Sequence, residues 1–311
     1  KNHKIKIIEP TVDIDNDFEK IINSCQGYDS KFSTQDLTNS EWYLFKDKDA
    51  VEFNLEGTVP LGLIADITPG IQTGCDKVSQ SHLSKYNFAE GIDAGDGIFV
   101  ISDEEKNKIK FNKEELKFIK PFYKNSDIFK WGYNREIRKW IIITNRINNI
   151  NELPNIKKHL LKYKEILDDR YRNFALINAD KEGKWWYLYG YRPNTAFEDE
   201  KIIFPYRSLT NVFTFCPAPF YTSIDVFFMK INNNKFCYKF INAILCSSLA
   251  LYWLQRNCKK KGKILELYQR PVSQIPIKDL SEKEQKPFID LVEKIFVITE
   301  NTNCLTDSIK L

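Results

Sequence analysis

Gly70-Ile71-Gln72-Thr73-Gly74-Cys75-Asp76-Lys77 gathers two glycines, a hydroxyl, an amide and a lysine into one short stretch. Such a stretch lets backbone N–H groups and small side chains approach phosphates or base edges closely. The same glycines would also serve simply to make a turn. Gln72, Thr73, Gly74 and Lys77 are the first candidates for contact with nucleic acid. A second candidate is Cys258-Lys259-Lys260-Lys261-Gly262-Lys263, where Lys259, Lys260, Lys261 and Lys263 surround a glycine just after a predicted helix. It reads either as an exposed basic loop for DNA phosphates or as a solvated helix end. Aromatic and basic residues interleave from Lys184-Trp185-Trp186-Tyr187 to Tyr191-Arg192 and again at Phe204-Pro205-Tyr206-Arg207. Runs of this kind can stack bases and hold phosphates, although Trp185 and Trp186 weigh towards core with one wet face. Arg192 and Arg207 are stronger candidates, because a bidentate arginine reads guanine in the major groove; Tyr206 accompanies them.

Catalytic readings each lack a requirement. A dinucleotide or S-adenosylmethionine site needs a glycine-rich turn between strand and helix, whereas Gly95-Asp96-Gly97 has no third glycine and leads into a β-like run. A metal-dependent nuclease needs converging carboxylates and a lysine. Glu198-Asp199-Glu200-Lys201 with the later Asp225 has the wrong spacing, and reads better as a solvated turn before a strand. His3, His82 and His159 are too scattered for a metal cluster or a triad. The expectation is a chain with no catalytic, cofactor or metal site of its own.

Composition sets the frame. The 311 residues are 42% hydrophobic and can bury a sizeable core. With 46 basic and 42 acidic residues the net charge is only +4, so a nucleic-acid reading depends on where the charges lie. The seven cysteines form no Cys-x-x-Cys pair, which encodes neither a disulfide framework nor a zinc knuckle and predicts reduced, mostly buried thiols. No apolar run approaches a membrane span and no signal peptide opens the chain, so a cytoplasmic location is the default expectation. Lys1 stands first and the one methionine is Met229, which reads as an excised or processed piece of a larger protein.

The elements that must position these residues follow from periodicity and punctuation. A short strand at Ile5 to Ile8 and a small helix around Phe18 to Ile22 precede Trp42-Tyr43-Leu44-Phe45, giving a lead-in over 1–60 that packs onto a main domain. Leu61 to Ile67 favours a strand ending in a tight turn at Thr68-Pro69-Gly70, which puts the glycine-bearing stretch on a loop. Further strands are predicted at Ile98–Ile101, Trp140–Thr144, Ile202–Phe204, Val212–Phe215 and Ile224–Met229. Apolar residues from Ile156 to Tyr171 recur at helical spacing beside a basic flank, and a wider apolar face runs from about Lys235 to Asn257. Ser281-Glu282-Lys283-Glu284 is a capping box for a helix through Phe288–Phe296, with Pro287 as a break or restart in its early turns. Irregular alternation predicts an α+β fold, with a mixed, largely antiparallel sheet, flanking helices and long loops.

Gly70-Ile71-Gln72-Thr73-Gly74-Cys75-Asp76 resembles the Gly-Ile-x-Thr-Gly-x-Asp/Asn signature that opens the C-terminal target-recognition region of Taq-type adenine methyltransferases and fused type IIG restriction-modification enzymes. The resemblance continues, in the family's order, through Ile119-Lys120-Pro121-Phe122-Tyr123-Lys124 to Asp127-Ile128, Trp140–Thr144, Pro154 to Arg170 and Lys184-Trp185-Trp186. Lys201–Pro205, Phe220–Asp225, Ile244–Ser248 and Gln274–Ile277 follow, so it spans about 61–280. Two departures stand out. Ser79 sits where the family often has an aromatic residue, and no two prolines adjoin, so the Asn/Asp/Ser-Pro-Pro-Tyr/Phe motif that holds a flipped adenine is missing.

The resemblance implies that residues 61–280 form a DNA target-recognition domain, with 1–60 a connection from a catalytic domain and 281–311 a helical segment packed on it. Double-stranded DNA would be the partner, with Lys124 added to the contacts named above. The methyltransferase domain, its S-adenosylmethionine, and magnesium where a nuclease is fused would belong to the rest of the polypeptide. A specificity subunit of a multisubunit restriction system is the alternative within DNA binding; it normally carries two recognition domains in tandem, and no duplicated half is present. A protein-interaction module using the Phe288–Phe296 helix, or a nuclease with an unrecognised site, would be a different class. Duplex binding separates the recognition readings from the first of these, and metal-dependent cutting identifies the second.

Overall fold

The computed structural model describes residues 4–10, 25–33, 55–88, 90–175, 183–190, 195–217 and 219–308. The chain divides into two compact units, Lys1–Glu56 and Gly57–Leu311. In the first, β1 (Lys4–Pro10) pairs antiparallel with β2 (Cys25–Ser33), with Ile7 opposite Tyr28. The strand expected at Ile5–Ile8 is present; the helix expected around Phe18–Ile22 and the Trp42–Phe45 run lie outside the described residues.

In the second unit β3 (Thr58–Pro60) leads into a single 3-10 turn at Leu61–Leu63 and then β4 (Ala65–Pro69). The strand expected over Leu61–Ile67 is thus half turn, because Ile64 bonds back to the Leu61 carbonyl and Leu61 itself is buried. Thirteen further strands follow among the described residues, of which those at 100–102, 139–142, 201–205, 214–216 and 226–231 fall on the predicted apolar runs and the other eight were not expected. They are β5 (Val100–Ser102), β6 (Ile119–Tyr123), β7 (Ile128–Phe129), β8 (Gly132–Tyr133), β9 (Lys139–Ile142) and β10 (Lys201–Pro205). After these come β11 (Arg207–Ser208), β12 (Thr214–Cys216), β13 (Tyr221–Thr222), β14 (Val226–Ile231), β15 (Lys259–Lys261), β16 (Ile264–Glu266) and β17 (Pro276–Lys278).

One four-stranded sheet has the order β12-β10-β14-β4, antiparallel throughout. Its strand β10 is buried at every residue, which accounts for the unbroken Ile202-Ile203-Phe204 run. A second four-stranded sheet, β13-β6-β9-β5, is antiparallel except where β13 runs parallel to β6. The pair β3–β17 sets Val59 opposite Ile277 and so ties the two ends of this region together. This is an α+β fold with mostly antiparallel, open sheets.

Helices α1 (Gln80–Lys85) and α2 (Asp103–Ile109) start from capping boxes made by Ser79 with His82 and by Ser102 with Glu105. The helix expected over Ile156–Tyr171 is two, α3 (Pro154–Leu161) and α4 (Lys164–Ala175). Lys162 and Tyr163 bond three residues back, to His159 and Leu160, which tightens the last turn and resets the axis. After α5 (Thr195–Glu198), the long helix expected before Asn257 is again divided, into α6 (Tyr238–Leu245) and α7 (Ser248–Asn257). Ser247 makes that break by accepting from the Ala250 N–H at 3.1 Å, while the buried Asn211 amide donates to the Leu245 and Ser247 carbonyls. A short α8 (Gln269–Ser273) precedes α9 (Glu282–Ser308), which runs unbroken through Pro287. Packing overrides the proline there: the buried Gln285 amide bonds to Lys235 and Leu280, and Phe288 sits edge-on to Phe240.

A single buried cluster draws Ile203 and Phe228 from the first sheet, Phe122 and Ile141 from the second, and Leu160 and Leu167 from α3 and α4. Cys75, Cys216, Cys246 and Cys258 are buried and free, as small hydrophobes should be. No helix among the described residues is long and apolar enough to cross a membrane.

One buried carboxylate anchors this frame. Glu115 accepts from the Asn112 N–H at 2.8 Å, from the Asn155 N–H at 2.6 Å and side-chain amide at 2.7 Å, and from Ile156 at 3.0 Å, and so caps α3 from forty residues away in sequence. Burial alone would raise its carboxyl, but these donors hold it below the ordinary glutamate value. Its stabilisation is full above an unfolded value of about 4.3 and is lost as pH falls through the depressed folded value. Glu115→Gln is expected to cost about 1–2 kcal/mol at neutral pH and to flatten that acid limb. Denaturant titrations at neutral pH and near pH 3 check this; a variant as stable as the parent at neutral pH would contradict it.

Candidate nucleic-acid interface

Strands β4 and β10 both run antiparallel to β14, with Pro69 opposite Phe227 and Pro205 opposite Val226. Three chain segments therefore leave the same edge of one sheet: the Gly70–Lys77 loop, the Ser223–Asp225 turn, and Tyr206-Arg207. Backbone bonds fasten them side by side, Gly70 N–H to the Val226 carbonyl at 2.9 Å, Ile71 N–H to Thr222 at 2.7 Å and Tyr206 N–H to Asp225 at 2.8 Å. On the other side of the loop, Gln72 and Gly190 exchange bonds of 3.0 and 2.8 Å.

The loop behaves as an extra edge strand with alternating faces. Ile71 and Cys75 enter the main core, and Thr73 is only 5% exposed, whereas Gln72, Gly74 and Lys77 face solvent. Thr73 has an internal role: its hydroxyl donates to Asp76 and accepts from the Cys75 N–H at 3.2 Å. Lys124 arrives from the end of β6 and ion-pairs with the same Asp76, whose backbone carbonyl also receives Ile98 at 2.9 Å. Thr73, Asp76 and Lys124 thus form one satisfied group.

Arg170 completes the anchoring, and sequence reasoning gave it no role. Its guanidinium donates to the carbonyls of Thr73, Trp185 and Tyr187, joining the loop to the aromatic run. Burial lowers its pKa to about 10, which leaves it charged at neutral pH. The legible signal was its position, three residues after buried Leu167 and four after buried Ile166 on one helix face. Gly74, at φ +76°, passes so close to this anchor that a Cβ would lie 3.0 Å from Arg170 Cδ and Tyr189 Cβ.

An open pocket lies between the loop, Lys124 and the turn Ser223-Ile224-Asp225. Its remaining polar side chains are unengaged: Gln72 and Asp225 have no side-chain hydrogen bond or ion pair among the described residues, and Ser223 Oγ is buried without a partner. A closed polar group in that state costs about 1–3 kcal/mol. Ser223, Ile224 and Asp225 were read from sequence as part of a family-like segment without a binding role, and Asp225 also as a nuclease carboxylate. Three other members of that acidic cluster are engaged elsewhere, Glu198 by the Tyr221 hydroxyl, Asp199 by Lys230 and Lys201 by the Phe197 carbonyl at 2.9 Å, while Glu200 is exposed. Gly95–Gly97 is likewise closed to a phosphate, because the Glu105 carboxylate accepts from the Gly97 N–H at 2.6 Å.

The second group of sequence candidates also converges. Lys259–Lys261 is not a loop but strand β15 of a hairpin, turned at Gly262 (φ +61°) and Lys263 and paired with β16. Strand β11 adds to the far side, giving the order β11-β16-β15 with Arg207 and Lys259 both opposite Glu266. Arg207 bonds Glu266 through Nη2 at 2.9 Å and Nε at 3.1 Å, and its guanidinium lies 4.9 Å from the Tyr206 ring centre. The Tyr206 hydroxyl meets that of Tyr268. Lys259, Lys260, Lys261 and Lys263 are exposed, with no acidic partner in ion-pair range among the described residues. Leu267 N–H bonds the Tyr206 carbonyl at 2.8 Å, so this basic sheet continues from the edge that carries the pocket. Trp186 bonds the Ile147 carbonyl at 3.1 Å and Trp185 packs beside Lys164, in keeping with structural roles. Arg192 lies outside the described residues.

Known proteins resemble this chain in sequence and in fold. Residues 152–277 match the family described as the TaqI-like C-terminal specificity domain. The type IIL restriction-modification enzyme MmeI, solved in complex with DNA, has a similar fold over 75% of this chain, with a TM-score of 0.50 and 15% identity. The type IIG restriction endonuclease BpuSI aligns over 76% of the chain with a TM-score of 0.46 and 11% identity. The chain spans only 28% and 26% of those two enzymes. No curated protein matches it. The matched residues 152–277, which are similar to that TaqI-like C-terminal specificity domain, hold Arg170, the Ser223–Asp225 turn and the lysine hairpin.

Proposed function

We propose that this chain reads the sequence of duplex DNA on behalf of a restriction-modification enzyme. The observation that carries the reading is convergence at one sheet edge: a loop exposing Gln72, Gly74 and Lys77, a pocket with unengaged polar groups, and a basic sheet with four unpaired lysines among the described residues. Lysines place a duplex through its phosphates, while side chains at the pocket meet base edges in the major groove. Arg207, half-exposed, can join them by leaving Glu266, which keeps Lys259 opposite it across the hairpin. Thr73 and Lys124 act one step back, holding the loop through Asp76.

Residues 61–280 are the recognition domain in this reading, with 1–60 the connection to a methyltransferase domain and 281–311 a helical support. The catalytic partner would flip an adenine and methylate it using S-adenosylmethionine, in the cytoplasm, with magnesium required where a nuclease is fused. Nothing in the geometry around Gly95–Gly97 suits that cofactor, so it is assigned to the rest of the enzyme. The test is selection of the full chain on duplexes with a randomised core. Enrichment of a defined motif is expected; recovery of unselected sequence would defeat the proposal.

A further inference from the structure

We infer that the pocket between the Gly70–Lys77 loop and the Ser223–Asp225 turn takes the major-groove edge of one base that bears an amino group, adenine or cytosine, with Asp225 as its acceptor. The inference rests on the DNA-reading function proposed above and names the group that one part of the interface reads. Its polar lining divides by what is already bonded. Asp76 is neutralised by Lys124 and bonded by Thr73, and Arg170 is committed to three carbonyls behind the loop. Those cations are not available to a ligand. What remains open to a ligand is an exposed carboxylate on Asp225 and an exposed amide on Gln72, with the unpartnered Ser223 hydroxyl closed off in the wall behind them.

The Asp225 carboxylate accepts only, whereas the Gln72 amide both accepts and donates. In the major groove guanine offers N7 and O6, both acceptors, and thymine offers O4 and a methyl group, so neither gives a carboxylate anything to bind. Adenine N6 and cytosine N4 are donors, and the Gln72 amide can both accept from such an amine and donate to adenine N7. Ile224, 42% exposed at the lip, supplies an apolar surface against the base. Backbone groups hold the turn in place. Ser223 N–H bonds the Tyr123 carbonyl at 3.3 Å, and Asp225 holds Tyr206 through its own carbonyl, so the Asp225 side chain is free of structural duty.

The experiment repeats the randomised-duplex selection with the full chain carrying Asp225→Ala or Asp225→Lys, each checked for an unchanged melting temperature. Every base pair carries one amino-bearing base, adenine or cytosine, so the pair that Asp225 reads is identified as the one position at which its loss is felt. Asp225→Ala should lower the preference there roughly tenfold or more while the other positions stand. Asp225→Lys, which replaces an acceptor with donors, should move that position towards guanine. An Asp225→Ala motif identical to the wild type would overturn this inference and leave the proposed function intact, as would a loss spread evenly over every position. A wild-type chain that enriches no motif would overturn both.

Discussion

Gly70→Ala is expected to destabilise the protein by about 3 kcal/mol, the upper part of the range for overpacking a closed site. A Cβ on Gly70 would lie 2.4 Å from the Ser223 carbonyl oxygen and 2.5 Å from that of Thr222. Both obstacles are backbone, and both belong to the turn that forms the other wall of the pocket. Relief requires the loop and turn to part, which strains the Ile71 to Thr222 bond of 2.7 Å and draws Ile71 from the core. Gly190→Ala is the matched control, since a Cβ there meets nothing nearer than Gln72 Cβ at 3.4 Å, and its stability should stay within about 0.5 kcal/mol of the parent. Denaturant midpoints of the two variants decide the matter. Equal stability would mean that the loop and turn are not held at the spacing described.

Removing the hairpin lysines should have the largest effect on binding and almost none on folding. Lys259, Lys260, Lys261 and Lys263 are exposed, and changing all four to alanine leaves the apolar contacts of Leu265 and Leu267 in place. Each phosphate contact contributes about 0.9 to the slope of log affinity against log salt, so the quadruple variant should lower its magnitude by up to about 3.6. At 0.15 M salt the same counterion release corresponds to a loss on the order of 10²–10³-fold, shared equally by all sequences. Binding isotherms at three salt concentrations, on one duplex of selected and one of shuffled sequence, measure it. An unchanged slope would put the β15–β16 hairpin away from DNA.

The contrast between these two regions shows what could be read from sequence. Strand β10 was legible because Ile202-Ile203-Phe204 is apolar on both faces, as a central strand requires. The breaks within the two long helical runs were less so. Ser247 is a good helix cap and could have been weighed as one, whereas the reset at Lys162-Tyr163 has no residue signature and depends on how α3 and α4 pack. Lys259-Lys260-Lys261 carries no strand propensity at all, and becomes a strand only because Gly262 turns it onto Ile264-Leu265-Glu266.

At the site, the Gly-Ile-x-Thr-Gly resemblance located the loop, and alternation along it decides which residues face out. The partner wall was invisible for a different reason: Ser223 reaches Lys124 through the parallel pairing of β13 with β6, about a hundred residues apart in sequence. Acidic Asp225 drew attention as a possible metal ligand, and its meaning changed once Glu198, Asp199 and Lys201 were seen bonded to other groups.

The central claim is that this edge distinguishes one DNA sequence from others rather than holding any duplex by charge. Competition between a duplex bearing the selected motif and a shuffled duplex of equal length and composition, at 0.15 M salt with the wild-type chain, measures that directly. Because each mismatched position typically costs about 1–3 kcal/mol, a shuffle that alters several should be disfavoured roughly 10³-fold or more. Equal competition by the two duplexes would contradict the account.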